Sequence, residues 1–130
     1  MRRLLLDTHA FLWWVEGTPA LPRKARAAIE DPDNDCLFSL ASAWELAIKA
    51  SLGKLKLTTP VQRFVIEQVA ANRFKALDVS LSHKGRVETL DRIHGDPFDR
   101  LLVAQALEDG LTIVTADPVF RRYGVACVWR

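Results

Sequence analysis

Apolar and polar positions alternate along this chain in two periods, and the change from one to the other repeats from end to end. Leu4-Leu5-Leu6 is a short unbroken apolar run, the pattern of a strand buried on both faces. It stops at Asp7-Thr8. A helix is predicted through Ala10–Val15, ended by Gly17 with Pro19 and Pro22 beyond. A second helix is predicted from Pro22 to Glu30. Asp31-Pro-Asp-Asn-Asp35 reads as a turn, and Cys36–Leu40 as the second strand.

Ala41–Leu52 is amphipathic and closed by Gly53. Ser42-Ala-Trp-Glu45 fits a capping box, but Ser39 serves equally well as the cap, with Glu45 then a turn further in. Thr58-Thr-Pro60 opens another helix with Val61, Phe64, Val65 and Val69 on one face. Lys75–Val79 is a third strand. Ser80 or Ser82 caps a helix that runs to about Leu90.

In His94-Gly-Asp-Pro-Phe-Asp-Arg100, Asp96 reads as the N-cap, Pro97 as the first helical residue and Asp99 as the third. Phe98, Leu101, Leu102 and Leu107 follow at helical spacing, up to Gly110. Leu111–Thr115 is the most β-branched run and a fourth strand. Val119–Gly124 is a short helix and Val125–Val128 the last strand. Strands alternating with helices predict an α/β three-layer domain over 1–130, with a mostly parallel central sheet of about five strands flanked by helices. Right-handed crossovers bring all strand C-terminal ends to one edge, where ligands of such sheets bind.

Composition adds constraints rather than a class. The 130 residues hold 49% hydrophobic and 26% charged side chains, and 18 basic against 16 acidic residues give +2. This balance excludes a polybasic protein but leaves room for local basic patches. Cys36 and Cys127 have no metal-ligand spacing and are expected to be reduced and unpaired, their strands lying on opposite sides of the central one. No apolar run is long enough to cross a membrane, and the three leucines after Met-Arg-Arg meet Asp7 too soon for a signal peptide. A cytoplasmic protein is expected.

The acids change the picture. Asp7 ends strand one, Asp117 lies just past strand four, and Glu45 is near the start of the helix after strand two. Asp99 joins them if its helix start bends toward the same edge. Each acid alone is accounted for by a helix cap or the helix dipole. Together, clustered carboxylates raise one another's pKa unless a cation neutralises them. With no local His or Cys ligand motif, the oxygen donors suit Mg²⁺ or Mn²⁺ over Zn²⁺. His9, His83 and His94 are read as structural or surface residues. A carboxylate-held Mg²⁺ supports phosphodiester hydrolysis. Basic residues on helices two and four, with Arg100, Arg121 and Arg122, are candidates for the phosphate backbone.

Leu-Leu-Leu-Asp7-Thr-His, Ser42-Ala-Trp-Glu45-Leu-Ala-Ile-Lys49, Asp96-Pro-Phe-Asp99-Arg-Leu-Leu-Val-Ala-Gln-Ala106 and Thr115-Ala-Asp117 resemble, in that order, the motifs of PIN-domain ribonucleases. The VapC-type toxins of toxin–antitoxin pairs are the nearest likeness. The resemblance implies an Mg²⁺- or Mn²⁺-dependent endoribonuclease acting on RNA and neutralised by a cognate antitoxin. Carried over by position, Asp7 and Asp99 are the main metal ligands and Glu45 and Asp117 complete the pocket. Thr8 and Thr115 are hydrogen-bonding supports, and a homodimer is implied. Of the adjacent Trp13 and Trp14, one is expected in the core and the other in an exposed apolar groove suited to the antitoxin. Two other classes stay open: a catalytically silent binding module, and a phospho-accepting receiver domain, which needs an acidic pair at strand one and a Lys near the last strand, whereas Asp7 stands without an adjacent acid and no Lys follows residue 84.

Overall fold

Three consecutive leucines in an extended chain must point alternately to opposite faces, and both faces are covered. In the computed structural model, which describes residues 1–130, β1 (Arg3–Leu6) is the middle strand of a five-stranded sheet and Leu4, Leu5 and Leu6 are wholly buried. Then follow α1 (Thr8–Glu16), α2 (Arg23–Glu30), β2 (Asp35–Ser39), α3 (Leu40–Ser51), α4 (Val61–Ala71) and β3 (Lys75–Leu77). After them come α5 (Leu81–Glu88), α6 (Pro97–Asp109), β4 (Thr112–Val114), a 3₁₀ helix (Pro118–Tyr123) and β5 (Cys127–Val128). The strand order is β3-β2-β1-β4-β5, and every pairing is parallel.

The alternation in β1 sorts the helices into layers. Leu4 and Leu6 pack with Phe11 of α1, Ala25 and Ile29 of α2, Leu46 of α3 and Val65 of α4. Leu5 packs on the other face with Leu102 and Val103 of α6, Ile113 of β4 and Phe120 of the 3₁₀ helix. This is the predicted three-layer parallel α/β arrangement. Cys36 on β2 and Cys127 on β5 are free. Two strands, β1 and β4, stand between theirs, so the chain has no route to a disulfide between them.

Several details differ from the sequence reading. Ser39, not Ser42, caps α3, its Oγ accepting from the Ala41 amide at 3.0 Å. Strand β2 therefore ends at Ser39, and Glu45 sits in the second turn of α3. Strand β3 stops at Leu77, and the carbonyl of Asp78 beyond it accepts from Gln105 Nε2 at 3.2 Å. Ser80 caps α5, with His83 as its capping-box partner. The middle of α6 is buried throughout Leu102–Ala106, not along one stripe, because α5 and α3 flank a helix that also lies on the sheet.

Neither Trp13 nor Trp14 is a core residue: both are half-buried. The buried aromatic of α1 is Phe11, which packs on Phe38 at 4.3 Å between ring centroids. Trp129 packs at a tilt against Trp13, with 5.6 Å between ring centroids, and Trp14 donates to Asn72 Oδ1 at 2.9 Å. The exposed tryptophan is Trp44 of α3, at 58%.

One buried polar contact ties the two halves of the sheet edge together. The Ser39 hydroxyl donates to Gln105 Oε1 at 2.6 Å, with both side chains at 0% exposure. It joins the cap of α3 to the middle of α6. Gln105→Leu leaves the Ser39 hydroxyl and the Asp78 carbonyl without that partner in a dry interior. We expect a loss of about 1–3 kcal/mol, read from urea unfolding midpoints.

Candidate active site

Each acid singled out by the sequence is placed by a backbone event at the C-terminal edge of the sheet. Asp7 follows β1 directly and caps α1: its Oδ1 accepts from the Ala10 amide at 2.8 Å. Asp117, two residues past β4's continuation through Thr115, caps the 3₁₀ helix through the Val119 amide at 2.9 Å. The Thr115 hydroxyl takes the Asp117 amide at 3.0 Å and so fixes the turn between them. Asp96 caps α6, its Oδ1 accepting from the amides of Phe98 (2.8 Å) and Asp99 (3.1 Å). With Pro97 at the first helical position, Asp99 falls in the first turn. Asp7, Asp99 and Asp117 line one cavity of about 250 Å³, together with His9, Trp13, Ala116 and Phe120.

Glu45 approaches from α3. It is 6% exposed, and both of its oxygens are held. The Thr8 hydroxyl donates to Oε1 at 2.6 Å, and Lys49 Nζ stands 2.8 Å from Oε2. Ser42 Oγ lies 2.9 Å from the Thr8 hydroxyl, so Thr8 is shared between α1 and α3. The i,i+4 geometry on α3 explains the Lys49 pairing. Lys49, which stands in the motif that carries the resemblance, thus neutralises one oxygen of Glu45.

The electrostatics follow from this crowding. Burial is the main reason the Asp7 carboxyl is held above its ordinary range; the Thr115 hydroxyl, the Ala10 amide and His9 act against it, and Glu45 adds to it. Asp99 is pushed up to about 7, first by burial, then by the charge of Asp96, with His94 opposing and Asp7 and Glu45 contributing further. Charged carboxylates at this edge are costly in the absence of a cation.

His94, which the sequence places among the structural or surface residues, stands at the acid cluster instead. Its Nε2 lies 2.9 Å from Asp99 Oδ2 and 3.7 Å from Asp117 Oδ2. The three donor atoms fall within 4.8 Å of one another. The available signal was its place two residues before the Asp96 cap, which puts its ring at the mouth of the same helix start. His83, by contrast, is structural: buried in the α5 cap, with its Nε2 2.9 Å from Asp109 Oδ2. His9 is exposed, with its ring 5.8 Å from that of Trp13.

The basic residues divide. Arg100, placed by the sequence reading at the phosphate backbone, faces the protein instead. Its guanidinium donates to the carbonyls of Asp91 (2.9 Å) and Val87 (3.2 Å) and reaches the His94 carbonyl and Tyr123 Oη at 3.5 and 3.4 Å. It holds the segment that leads into α6. Arg121 makes one bond, to the Cys127 carbonyl at 3.2 Å, and both Arg121 and Arg122 are exposed. On helix four, Arg63 pairs with Glu67 at 2.7 Å.

Residues 4–126 match the family model of the PIN domain. The chain belongs to the PIN-domain family. A relative within it, ribonuclease VapC22 of Mycobacterium tuberculosis, is 33% identical over 125 residues, covering 95% of this chain and 93% of that protein. Among solved structures, VapBC2 from Rickettsia felis bound to a DNA fragment from its promoter superimposes with a TM-score of 0.73 at 16% identity, covering 98% of this chain and 99% of that one. DNA-bound VapBC from Salmonella typhimurium gives 0.67 at 19% identity, covering 98% of each. At such identities these two likenesses speak to the fold: this PIN-domain chain has the PIN-type sheet along its whole length.

The Asp99 shift has a signed consequence. A carboxyl whose folded pKa is raised binds more protons folded than unfolded between about pH 4 and 7, so stability falls as pH rises through that window. In chelator, Asp99→Asn is expected to raise the melting temperature at pH 7.5 and leave it nearly unchanged at pH 4. Thermal unfolding at both pH values checks this; equal effects at both would refute it. Asp96→Asn keeps the cap and removes one of the charges that raise Asp99, so it should be nearly silent at pH 4 and stabilise less than Asp99→Asn at pH 7.5, and at pH 4 Asp96→Ala should cost about 1 kcal/mol, the worth of a lost N-cap.

Proposed function

We propose that this chain is a divalent-metal-dependent endoribonuclease, a VapC-type toxin held in check by a cognate antitoxin. The observation that carries the reading is the convergence of Asp7, Asp99 and Asp117 on one small cavity, with Glu45 joined to it through Thr8. Membership of the PIN family and the likeness to a VapC ribonuclease support the same reading.

The donor set fits a hard cation. The donors are carboxylate oxygens, and Asp7 and Asp99 are both held above the ordinary carboxylate range, the condition that a bound cation relieves. Asp7, Asp99, Glu45 and Asp117 would hold Mg²⁺ or Mn²⁺. Bound there, the ion would supply an activated water and a charge that offsets the one developing on a phosphodiester. The chain's own contribution is rigidity. The Ala10 and Val119 amides fix Asp7 and Asp117, and Thr8 and Lys49 fix Glu45. Arg121 and Arg122, exposed just past Asp117, would meet the phosphates that flank the scissile bond. Arg100 would act indirectly, by holding the segment before α6.

The antitoxin reading is supported by the neighbours solved as VapBC complexes. Trp13 and Trp14 are half-buried, and more apolar surface is exposed in the groove of about 390 Å³ between α3 and α4, where Leu40, Trp44 and Ile66 are exposed and a partner would find it. We also propose a homodimer in the cytoplasm. No helix is long and apolar enough to cross a membrane.

RNA cleavage should be abolished by EDTA and restored by Mg²⁺ or Mn²⁺, and Asp99→Asn should lower the rate on the order of 100-fold or more. Full activity in excess chelator overturns the metal dependence. RNA left intact with either ion favours the silent binding module. Arg121→Ala and Arg122→Ala should each weaken RNA binding and lower the salt slope by about 1, measured by fluorescence anisotropy between 50 and 200 mM salt.

A further inference from the structure

A second cavity, of about 410 Å³, opens beside the acid cluster and is lined by Arg92, Ile93, His94, Gly95 and Arg100. Two guanidinium groups line it and no acid does. His94 ties it to the cluster: the Nε2 of its ring stands 2.9 Å from Asp99 Oδ2 and 3.7 Å from Asp117 Oδ2, and both of those acids line the first cavity. The two cavities are therefore about one imidazole ring apart, within reach of a single nucleic-acid strand.

The loop that shapes this pocket is held in place. The Ile93 N–H donates back to the Asp91 carbonyl at 3.0 Å, and the His94 N–H donates to Tyr123 Oη at 2.7 Å. Arg100 braces the same loop, but all of its acceptors are neutral oxygens: the carbonyls of Val87, Asp91 and His94 and the Tyr123 hydroxyl. Its charge is thus oriented without being neutralised. The nearest acid in sequence, Asp91, lines a different cavity with Arg86 and Tyr123. Arg92 is exposed, and its guanidinium pairs with no group of the protein. The Gly95 amide donates to no carbonyl, and a glycine leaves that N–H uncovered. Guanidinium groups and open backbone amides are the donors that take phosphate oxygens.

We propose that this pocket holds a backbone phosphate of the RNA strand, beside the linkage that lies at the acid cluster, with Arg92 as its contact and Arg100 as the fixed charge behind it. The inference rests on the nuclease reading and names the part of the substrate that the site reaches next. A polyanion laid across four carboxylates is repelled by them, and a bound cation offsets that repulsion at one linkage only. A cationic pocket alongside offsets it at the neighbour. A contact of this kind reads the backbone and not the bases, so it acts on every sequence alike.

The test is binding of a short fluorescein-labelled RNA of mixed sequence to the full chain in EDTA, by anisotropy from about 50 to about 200 mM salt. One phosphate contact to a single strand contributes about 0.7 to the salt slope. We expect Arg92→Ala to lower the slope by about that much, Arg92→Lys to keep it, and both to melt like the wild type. Arg2→Ala removes an equal charge before β1, at the opposite edge of the sheet, and should leave the slope unchanged. In Mg²⁺, Arg92→Ala should raise KM and keep kcat, the mark of a contact made equally in the ground and transition states. A wild-type slope in Arg92→Ala overturns the proposal. So does an equal drop in Arg2→Ala, or a fall in melting temperature that accounts for the weaker binding. A fall in kcat at unchanged KM places Arg92 at the reacting linkage itself and overturns it too. Saturable binding of inorganic phosphate that Arg92→Ala abolishes while the RNA slope is kept makes this a free-phosphate site, again against the proposal. A wild type that binds no RNA overturns both this inference and the nuclease reading. The expected slopes in a chain that leaves RNA intact with Mg²⁺ or Mn²⁺ sustain the inference and strike the nuclease alone.

Discussion

Like charges packed at one edge of the sheet set the terms for the rest of this molecule. Asp7, Glu45, Asp99 and Asp117 come from four separate elements, and burial together with mutual repulsion holds Asp7 and Asp99 above the ordinary carboxylate range. A fold maximising its own stability would not gather them. It tolerates them because three of the four are anchored by donors that cost little: two backbone amides that a helix start leaves unpaired in any case, a threonine hydroxyl and a lysine one turn away. The anchoring orients the carboxylates without neutralising the cluster as a whole. Lys49 is the one full positive charge in contact with it.

The sheet makes this crowding possible. With all five strands parallel, every strand delivers its following residue to the same edge, and the order turns back at β1, so β2 and β4 flank it. Residues after β1 and β4 therefore become neighbours although about 110 positions separate them in sequence. What the sheet does not supply is the approach of α3 and α6. The Ser39–Gln105 hydrogen bond provides it, joining the cap of one helix to the buried middle of the other. Glu45 and Asp99 ride on those two helices. Their separation is thus governed by a neutral polar contact in the interior, remote from the charges it organises.

Much of this was legible in the residues. Leu4-Leu5-Leu6, the Asp96-Pro97 start and the Thr112–Val114 run specify their elements by local chemistry alone, and from them the parallel sheet and the acids at its edge follow. The features that were missed depend on contacts between segments. Ser39 and Ser42 are equivalent as local caps, and only the distance to Gln105 separates them. Arg100 looks like a free cation because its acceptors are carbonyls of Val87 and Asp91, which no pattern advertises. Trp13 and Trp14 were assigned by size, but Phe11 already fills the place beneath α1, so both tryptophans settle at its margins and are covered by Trp129 and Asn72. His94 reads as a structural or surface residue because the acids suffice as ligands, and only the folded turn, held by Tyr123 and the Asp96 amide, brings its ring to Asp99 and Asp117.

The two aspartates of Asp96-Pro-Phe-Asp99 show how position on a helix separates chemically identical groups. Asp96 precedes the helix with extended backbone angles, so its side chain folds back over the first turn and takes the amides of Phe98 and Asp99. The Asp99 amide is therefore satisfied by its neighbour, and the Asp99 side chain has no local bond left to make. It projects from the helix start toward the cavity, where the helix dipole favours a negative charge while Asp7 and Glu45 oppose one. Asp96 both frees Asp99 from capping duty and, as a second negative charge beside it, raises its pKa. One acid's structural work thus fixes the other's direction and unsettles its charge, and those are the two properties a cation-binding carboxylate requires.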